Sequence, residues 1–359
     1  MGSISHILVR APNWIGDAVM GTPALMDLRA AYPESTITLW ARPTIAELLR
    51  GHPGIDEVFI YDHKARHKGL FGKMALIREM RARHFGMALL LQNAFEAALL
   101  TFLSGVRERW GYMTDGRRLF LSRAIPVPKQ AGRVHQVEYF QRLIGELTGV
   151  QTKRAPNLVV QEEEEQLVDK EFPSLARGNA DEVIGVNPGS VYGTAKRWLP
   201  ERFAEAADQI IENRQRALSP EQVVKCVIVG GPGEEDLGRT VGRYMKHPSI
   251  VLSGKTTIRQ LLVIIKRCSL FLTNDTGPMH IACAFGVPVV AIFGSTDPAH
   301  TAPPSNLSRT VRSTVRCSPC LLRHCPIDHR CMTGISVEDV CQAALKVGVS
   351  GSKFQVSSE

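Results

Sequence analysis

At 359 residues the chain is long enough for two domains of ordinary size, and its 44% hydrophobic and 22% charged residues exclude a disordered or fibrous protein. No apolar run is long enough to cross a bilayer (residues 87–103 come nearest but hold Gln92, Asn93 and Glu96). The start, MGSISHILVR, lacks a secretory pattern and, with His6 in place of Ser or Thr, a myristoylation one, so a cytoplasmic protein is expected. A net charge of +8 calls for an anionic partner; 6% aromatic residues and no nucleic-acid-binding motif argue against nucleic acid and for phosphate-bearing small molecules or membrane headgroups.

In chain order, residues 4–9 read as a first strand, with the loop Ala11-Pro12-Asn13-Trp14-Ile15-Gly16-Asp17 at its carboxyl end. A helix follows from Asp17 or Thr22 to residue 31, with Pro23 either opening it behind a Thr22 cap or kinking it. Strands are expected at 37–40, 58–61 and 87–91, and helices at 46–50, 73–83, 94–104 and 133–147. Such βα alternation calls for a parallel sheet with helices on both faces. Residues 62–84 are rich in Lys and Arg. Arg78, Arg81 and Arg83 read as a solvated helix face. For the loop carrying Lys64, Arg66 and Lys68, holding an anionic substrate or headgroups is an equally open reading. Arg107, Arg109, Arg117, Arg118 and Arg133 continue the basic character, with His135 close behind.

Composition shifts after residue 161, where Glu162 to Glu165 open a helix. The polar, Gly-containing stretch 173–181 is taken as the domain boundary. The alternation then restarts with a strand at 183–186, the loop 187–198, a helix at 203–213 and a strand at 225–229. A strand at 250–252 and a helix at 258–266 follow. Gly230-Gly231-Pro232-Gly233 lacks the dinucleotide glycine spacing. Gly254-Lys255-Thr256 has Ser249 where a P-loop needs glycine, so an ATPase is rejected.

The stretch 269–296, SLFLTNDTGPMHIACAFGVPVVAIFGST, reads as strand, turn, helix and strand. Thr276 and Gly277 open the helix ahead of Pro278, offering free N–H groups and the positive end of a dipole, with His280 one turn in. Spacing alone leaves two readings open, an anion site and an ordinary helix capped by Asp275 or Thr276.

Three motifs, in order, are Asn13-Trp14-Ile15-Gly16-Asp17, then Asn187-Pro188-Gly189-Ser190 with Ala195-Lys196-Arg197-Trp198, then Asn274-Asp275-Thr276-Gly277-Pro278-Met279-His280. Through them nearly the whole chain resembles the bacterial lipopolysaccharide heptosyltransferases of glycosyltransferase family 9. The Pro-Asn-Trp-Ile-Gly-Asp form looks most like the heptosyltransferase II branch. The resemblance implies an α/β fold of GT-B type, with two Rossmann-like domains facing across a cleft. The domains would be 1–176 for the acceptor, 177–335 for the nucleotide sugar, and 336–359 as a last helix and tail returning to the N-terminal domain.

The resemblance further implies inverting transfer of L-glycero-D-manno-heptose from ADP-heptose to the first heptose of an anionic lipid A-Kdo-heptose acceptor at the inner leaflet. No cofactor is required. Asp17, alone a helix cap, matches the family's base. Lys196, alone a surface lysine, matches its diphosphate-binding lysine, and Arg197 is the bystander. Ser190 and Tyr192 would contact phosphate or ribose, Thr276, Gly277 and His280 the pyrophosphate, and Thr256 the adenine, while Asp275 belongs to the same motif. Either Glu234 or Glu235 would hold the ribose, with Glu235 slightly favoured. Trp14, Lys64, Arg66, Lys68 and His135 would meet the acceptor.

The Cys317/Cys320/Cys325/Cys331 cluster, with His324 and His329 between, has knuckle-like spacing. Reduced thiols, a disulfide and zinc are open there, with zinc not favoured. Rival functions are transfer to another acceptor step (heptosyltransferase I or III), a sugar-nucleotide epimerase of the same fold, and a non-catalytic nucleotide- or lipid-binding protein.

Overall fold

The structure, a computed structural model, describes residues 4–128, 134–150, 152–176 and 181–348. Its contacts divide the chain into two units, Met1–Gln161 and Glu162–Glu359. The first runs β1 (His6–Arg10), α1 (Ile15–Met20), α2 (Thr22–Ala31), β2 (Thr36–Ala41), α3 (Pro43–Leu48), β3 (Glu57–Ile60), α4 (Gly69–Ala82), β4 (Met87–Leu90), α5 (Phe95–Leu103), β5 (Glu108–Tyr112), a 3-10 turn (Arg117–Phe120), β6 (Arg123–Ile125) and α6 (Gln136–Thr148). The second runs α7 (Glu162–Glu171), β7 (Glu182–Asn187), α8 (Pro200–Gln215), β8 (Val224–Ile228), α9 (Glu235–Tyr244), β9 (Ser249–Val251), α10 (Ile258–Lys266), β10 (Leu270–Asn274), α11 (Gly277–Ala284), β11 (Val289–Phe293), α12 (Pro298–Thr301), β12 (Ser308–Arg312), α13 (Arg330–Thr333) and α14 (Val337–Gly348).

Each unit holds one six-stranded parallel sheet, in the orders β3-β2-β1-β4-β5-β6 and β12-β11-β10-β7-β8-β9. The α/β expectation therefore holds in both halves. The central strands β4, β10 and β11 are buried along their whole length, so both sheet faces need helices to cover them. In the first sheet the chain winds outward through β2 and β3, then returns to the far side of β1 as β4. In the second the corresponding reversal lies between β7 and β10. Such reversals open a crevice at the carboxyl ends of the two strands. Three of the chain's motif loops leave these strands: 11–14 after β1, 187–198 after β7, and 275–276 after β10.

Several expectations are corrected. The helix expected up to residue 31 is two helices, α1 and α2, with Gly21 between them. Thr22 is not a cap, because its Oγ1 donates back to the Val19 carbonyl at 2.7 Å and accepts the Asn157 N–H at 3.0 Å. Arg133, expected to open α6, lies outside the described residues, and the helix starts at Gln136. Strands β5, β6 and β12, each carrying arginine among its residues, stand where the sequence suggests no strand.

The contact break falls before α7, ahead of the expected boundary. Glu164 receives the Arg259 Nε at 2.8 Å and Glu165 the Lys266 Nζ at 2.9 Å, which ties α7 to α10. The last helix, expected to return to the N-terminal domain, packs as α14 on α8, β11 and β12 of the second unit. No helix among the described residues is long and apolar enough to cross a membrane.

Candidate active site

In the first unit the site grows from the end of β1. Arg10 is buried there, and its Nη1 donates to the carbonyls of Ala11 at 3.0 Å and Trp40 at 3.1 Å. Its Nη2 donates to Asn13 Oδ1 at 2.8 Å, and its guanidinium lies 4.7 Å from the Trp40 ring centroid. Burial, with Arg42 nearby, pushes the Arg10 pKa down to about 9, so it stays charged at neutral pH. The motif loop is thus pinned from below by a residue the sequence reading passed over. Trp14 is half exposed at the N-cap of α1, and Asp17 is half-buried in that helix's first turn, where its charge suits the dipole.

Beside it, at the end of β4, Arg117 is fully buried. It donates to the carbonyls of Gln92 at 2.5 Å and Tyr112 at 2.8 Å, and to Asn93 Oδ1 at 2.9 Å. Arg109 likewise donates to the Phe120 carbonyl at 2.6 Å. Both arginines, read as basic surface, are internal braces of the β4 and β5 loops. Lys64 and Lys68 are exposed on the β3–α4 loop, and Arg66 pairs with Glu79 at 2.7 Å. His135 is the N-cap of α6, its Nδ1 accepting the Val137 N–H at 3.2 Å.

In the second unit two asparagines stitch the motif loops together. Asn187, ending β7, donates to Thr273 Oγ1 and Thr276 Oγ1, both at 3.0 Å. Asn274, ending β10, accepts the Trp198 N–H at 3.1 Å and donates to the Pro188 carbonyl at 2.8 Å. Their signal in the sequence was their place as the last residue of each strand. Thr276 occupies the N-cap position of α11, but its hydroxyl is taken by Asn187 and makes no capping bond.

Asp275, the other expected cap, turns elsewhere. Its Oδ2 receives Lys196 Nζ at 2.6 Å and Thr296 Oγ1 at 2.7 Å, and its Oδ1 receives Thr301 Oγ1 at 3.3 Å. Among the described residues no side chain caps the start of α11, and a lysine ammonium is bonded to the residue just before Thr276. An anion fits that arrangement. His280 is buried within the same helix.

Ser190 is buried, and its Oγ has no hydrogen-bond partner among the described residues. Beside it, Glu234 is buried with Oε2 accepting the Gly231 N–H at 2.9 Å and Oε1 3.5 Å from Arg197 Nη2. Arg197 also donates to the Ser190 carbonyl at 3.1 Å, so it joins this cluster. Glu235 is occupied differently. Its own N–H and that of Gly233 hold its carboxyl below the usual carboxylate range, and it lies over Gly254. Thr256 is half-buried just before Thr257, which caps α10 in a capping box with Gln260.

The cysteine-rich segment braces the lysine loop from outside. Tyr192 Oη donates to the Leu321 carbonyl at 2.7 Å, and the Ala195 N–H to the Arg323 carbonyl at 3.0 Å. Lys196 Nζ sits 4.8 Å from the Tyr192 ring centroid. Cys317 and Cys320 are exposed, Cys331 is buried, and the Cys325 thiol accepts the His329 N–H at 3.3 Å. Among the described residues no group of three or more His, Cys, Asp or Glu is arranged to hold a metal ion.

Comparison with known proteins agrees with this geometry. Residues 73–330 match the family model described as Glycosyltransferase family 9 (heptosyltransferase). The chain is 26% identical over 354 residues to a lipooligosaccharide heptosyltransferase 2 of Campylobacter jejuni, covering 95% of this chain and 98% of that one. It is 28% identical to lipopolysaccharide heptosyltransferase 2 of Escherichia coli K12, covering 85% of this chain and 87% of that one. The E. coli ADP-heptose lps heptosyltransferase II structure matches with a TM-score of 0.78 at 25% identity, covering 96% and 98%. A family 9 glycosyltransferase of Veillonella parvula matches with a TM-score of 0.84 at 25% identity, covering 97% and 98%. With two parallel Rossmann-like sheets and motif loops at both strand-order reversals, the chain is a GT-B enzyme that belongs to glycosyltransferase family 9, the heptosyltransferases.

Proposed function

We propose that the protein moves L-glycero-D-manno-heptose from ADP-heptose onto the first heptose of a Kdo-lipid A inner core, inverting the anomeric carbon. The observation that carries this reading is the Lys196–Asp275 pair set beside the uncapped start of α11. The acceptor hydroxyl oxygen bonds to the anomeric carbon as the bond from that carbon to the diphosphate oxygen breaks. Asp17 takes the hydroxyl proton as general base. ADP leaves with the bonding electron pair, and its growing charge is met by Lys196, the N–H groups of Thr276 and Gly277 at the start of α11, and His280. Asp275 positions Lys196, so it acts through the lysine.

Ser190 and Glu234 hold donor hydroxyls, since both are buried with an oxygen lacking a hydrogen-bond partner among the described residues. Geometry favours Glu234 over Glu235, whose carboxylate is committed to its own turn. Tyr192 forms an aromatic wall for Lys196, and backbone groups at Thr256 meet adenine. Trp14, Lys64, Arg66, Lys68 and His135 face the anionic acceptor. No cofactor takes part. The enzyme works from the cytoplasm as a peripheral protein of the inner leaflet, and nucleic acid is not a partner.

The test is ADP release from ADP-heptose with an acceptor bearing one heptose and with one bearing none, each repeated with Asp17→Ala. Turnover only on the heptose-bearing acceptor, lost in the variant, is the expected result. Turnover on the bare Kdo acceptor would reassign the step. No turnover with either would sink the assignment to these substrates.

A further inference from the structure

The loops that leave β1, β3, β4 and β5 all emerge at one edge of the first sheet, because its strands are parallel. That edge carries Asp17 and an apolar surface that transfer chemistry does not explain. At the start of α4, Leu70 is 75% exposed and Phe71 85% exposed, with Met74 beside them. These side chains are not on a fraying tip. Gly72, between them, has its Cα so close to the loop that an added Cβ would stand 2.5 Å from the His67 carbonyl carbon. His67 in turn is buried, with Nδ1 accepting the Asp62 N–H at 3.1 Å. The loop and the first turn of α4 are one rigid piece.

The patch continues sideways. Lys73 Nζ meets Glu96 Oε1 at 2.5 Å, tying α4 to the start of α5. There Phe95 packs edge-on against Phe120 at 5.3 Å, next to Leu119, which is 85% exposed. The charge around it is positive. Arg66 and Lys73 have carboxylate partners, but exposed Lys64 and Lys68 have no ion pair among the described residues. Apolar side chains flanked by unneutralised lysines complement an anionic lipid surface, where the apolar groups enter the interface and the ammonium groups stay at the headgroups.

We propose that this face is a bilayer-docking surface, with Leu70 and Phe71 entering an anionic membrane and Lys64 and Lys68 engaging its headgroups. It presents the Asp17 edge of the first unit to the lipid surface. The proposal rests on the transferase reading only in taking the acceptor to be lipid-borne, and its test separates the two.

The full chain is floated with vesicles of phosphatidylethanolamine and phosphatidylglycerol, and with vesicles of phosphatidylcholine alone. Wild type should bind the anionic vesicles and release in high salt. Leu70→Ser/Phe71→Ser should bind at least ~10-fold more weakly, since two large apolar side chains leave the interface. Lys64→Gln/Lys68→Gln should weaken binding and flatten its salt dependence. Leu167→Ser, which removes an exposed leucine of the second unit, should bind as wild type does. Transfer to a deacylated, soluble acceptor is measured in parallel. The serine pair should retain that activity and its melting temperature.

Wild type that transfers heptose but ignores anionic vesicles overturns the docking surface and leaves the transferase standing. Equal vesicle binding by wild type and the serine pair overturns it too. So does a wild-type dimer that the serine pair dissolves, without vesicle binding, because the patch would then belong to a second copy.

Discussion

Lys196 Nζ lies 2.6 Å from Asp275 Oδ2, and both side chains are largely buried, with Thr296 and Thr301 as the other donors to the carboxylate. The ion pair does two things at once. It lowers the cost of keeping an ammonium beside the start of α11, and it fixes where that charge sits. Asp275→Ala should therefore leave Lys196 uncompensated and two threonine hydroxyls without their acceptor. Removing one partner of a buried pair costs about 3–5 kcal/mol, and the residual exposure of Lys196 puts this case at the low end. Transfer should fall by ~10²-fold or more as the charge moves off the leaving group. Thermal melts and steady-state ADP release check this; an unchanged melt with unchanged turnover would mean the pair does not hold the lysine.

Asp17→Asn keeps the size and hydrogen-bonding of the side chain but removes its basicity. Transfer should drop by ~10²–10⁴-fold. ADP affinity, read by calorimetry, should stay as in wild type, because the proposed donor contacts all lie on the second unit. Loss of ADP binding alongside turnover would assign Asp17 a structural role instead.

Gly189 and Gly231 both lie near the Glu234 carboxylate but predict opposite outcomes. A Cβ at Gly189 would stand 2.2 Å from Glu234 Oε2, whereas one at Gly231 would stand 3.8 Å away. Gly189→Ala must drive Glu234 off the Gly231 N–H, so it should destabilise the second unit by about 1–3 kcal/mol and weaken ADP binding. Gly231→Ala should leave the Glu234 position intact. Equal melting temperatures for the two variants would contradict this packing.

His52 gives a pH dependence of folding. Its Nδ1 accepts the Gly54 N–H at 3.1 Å and its Nε2–H donates to Asn157 Oδ1 at 3.2 Å, the pattern of the neutral tautomer. Burial pushes its pKa below 6.5 in the fold. Below pH 6.5 the unfolded chain takes up a proton that the folded one refuses, so stability falls as pH drops until the folded pKa is reached. The slope is at most about 1.4 kcal/mol per pH unit. Urea midpoints should show a shallower acid slope for His52→Gln; identical slopes would remove His52 from the acid response.

The recognition of strands followed burial. Runs such as Met87–Leu90 and Val289–Phe293 are central strands covered on both faces, so their apolar pattern is continuous and easily read. Strands β6 and β12 are sheet edges, and β5 lies next to an edge. Their Arg, Glu and Ser residues are tolerated because solvent or local bonds satisfy them, as Arg109 does with the Phe120 carbonyl. Nothing in their local pattern separates them from loops.

The amino-acid order by itself determined the α/β architecture and the family, because strand periodicity and the spacing of turn residues are local properties carried along the chain. It also singled out Asp17, Lys196 and Thr276, which stand on α1, on the connection from β7 to α8 and at the N-cap of α11. Tertiary structure alone decided what neighbours each of them has. Arg10 and Arg117 look like surface charge in the sequence, yet they are buried because carbonyls from distant strand ends converge on their guanidinium groups. Asp275 and Thr276 look like helix caps, yet Lys196 and Asn187, some eighty residues earlier, claim their oxygens and leave the helix start without a side-chain cap. A hydrogen-bond donor takes whichever acceptor the fold brings within reach, and that proximity is set by strand order in the sheet rather than by separation along the chain.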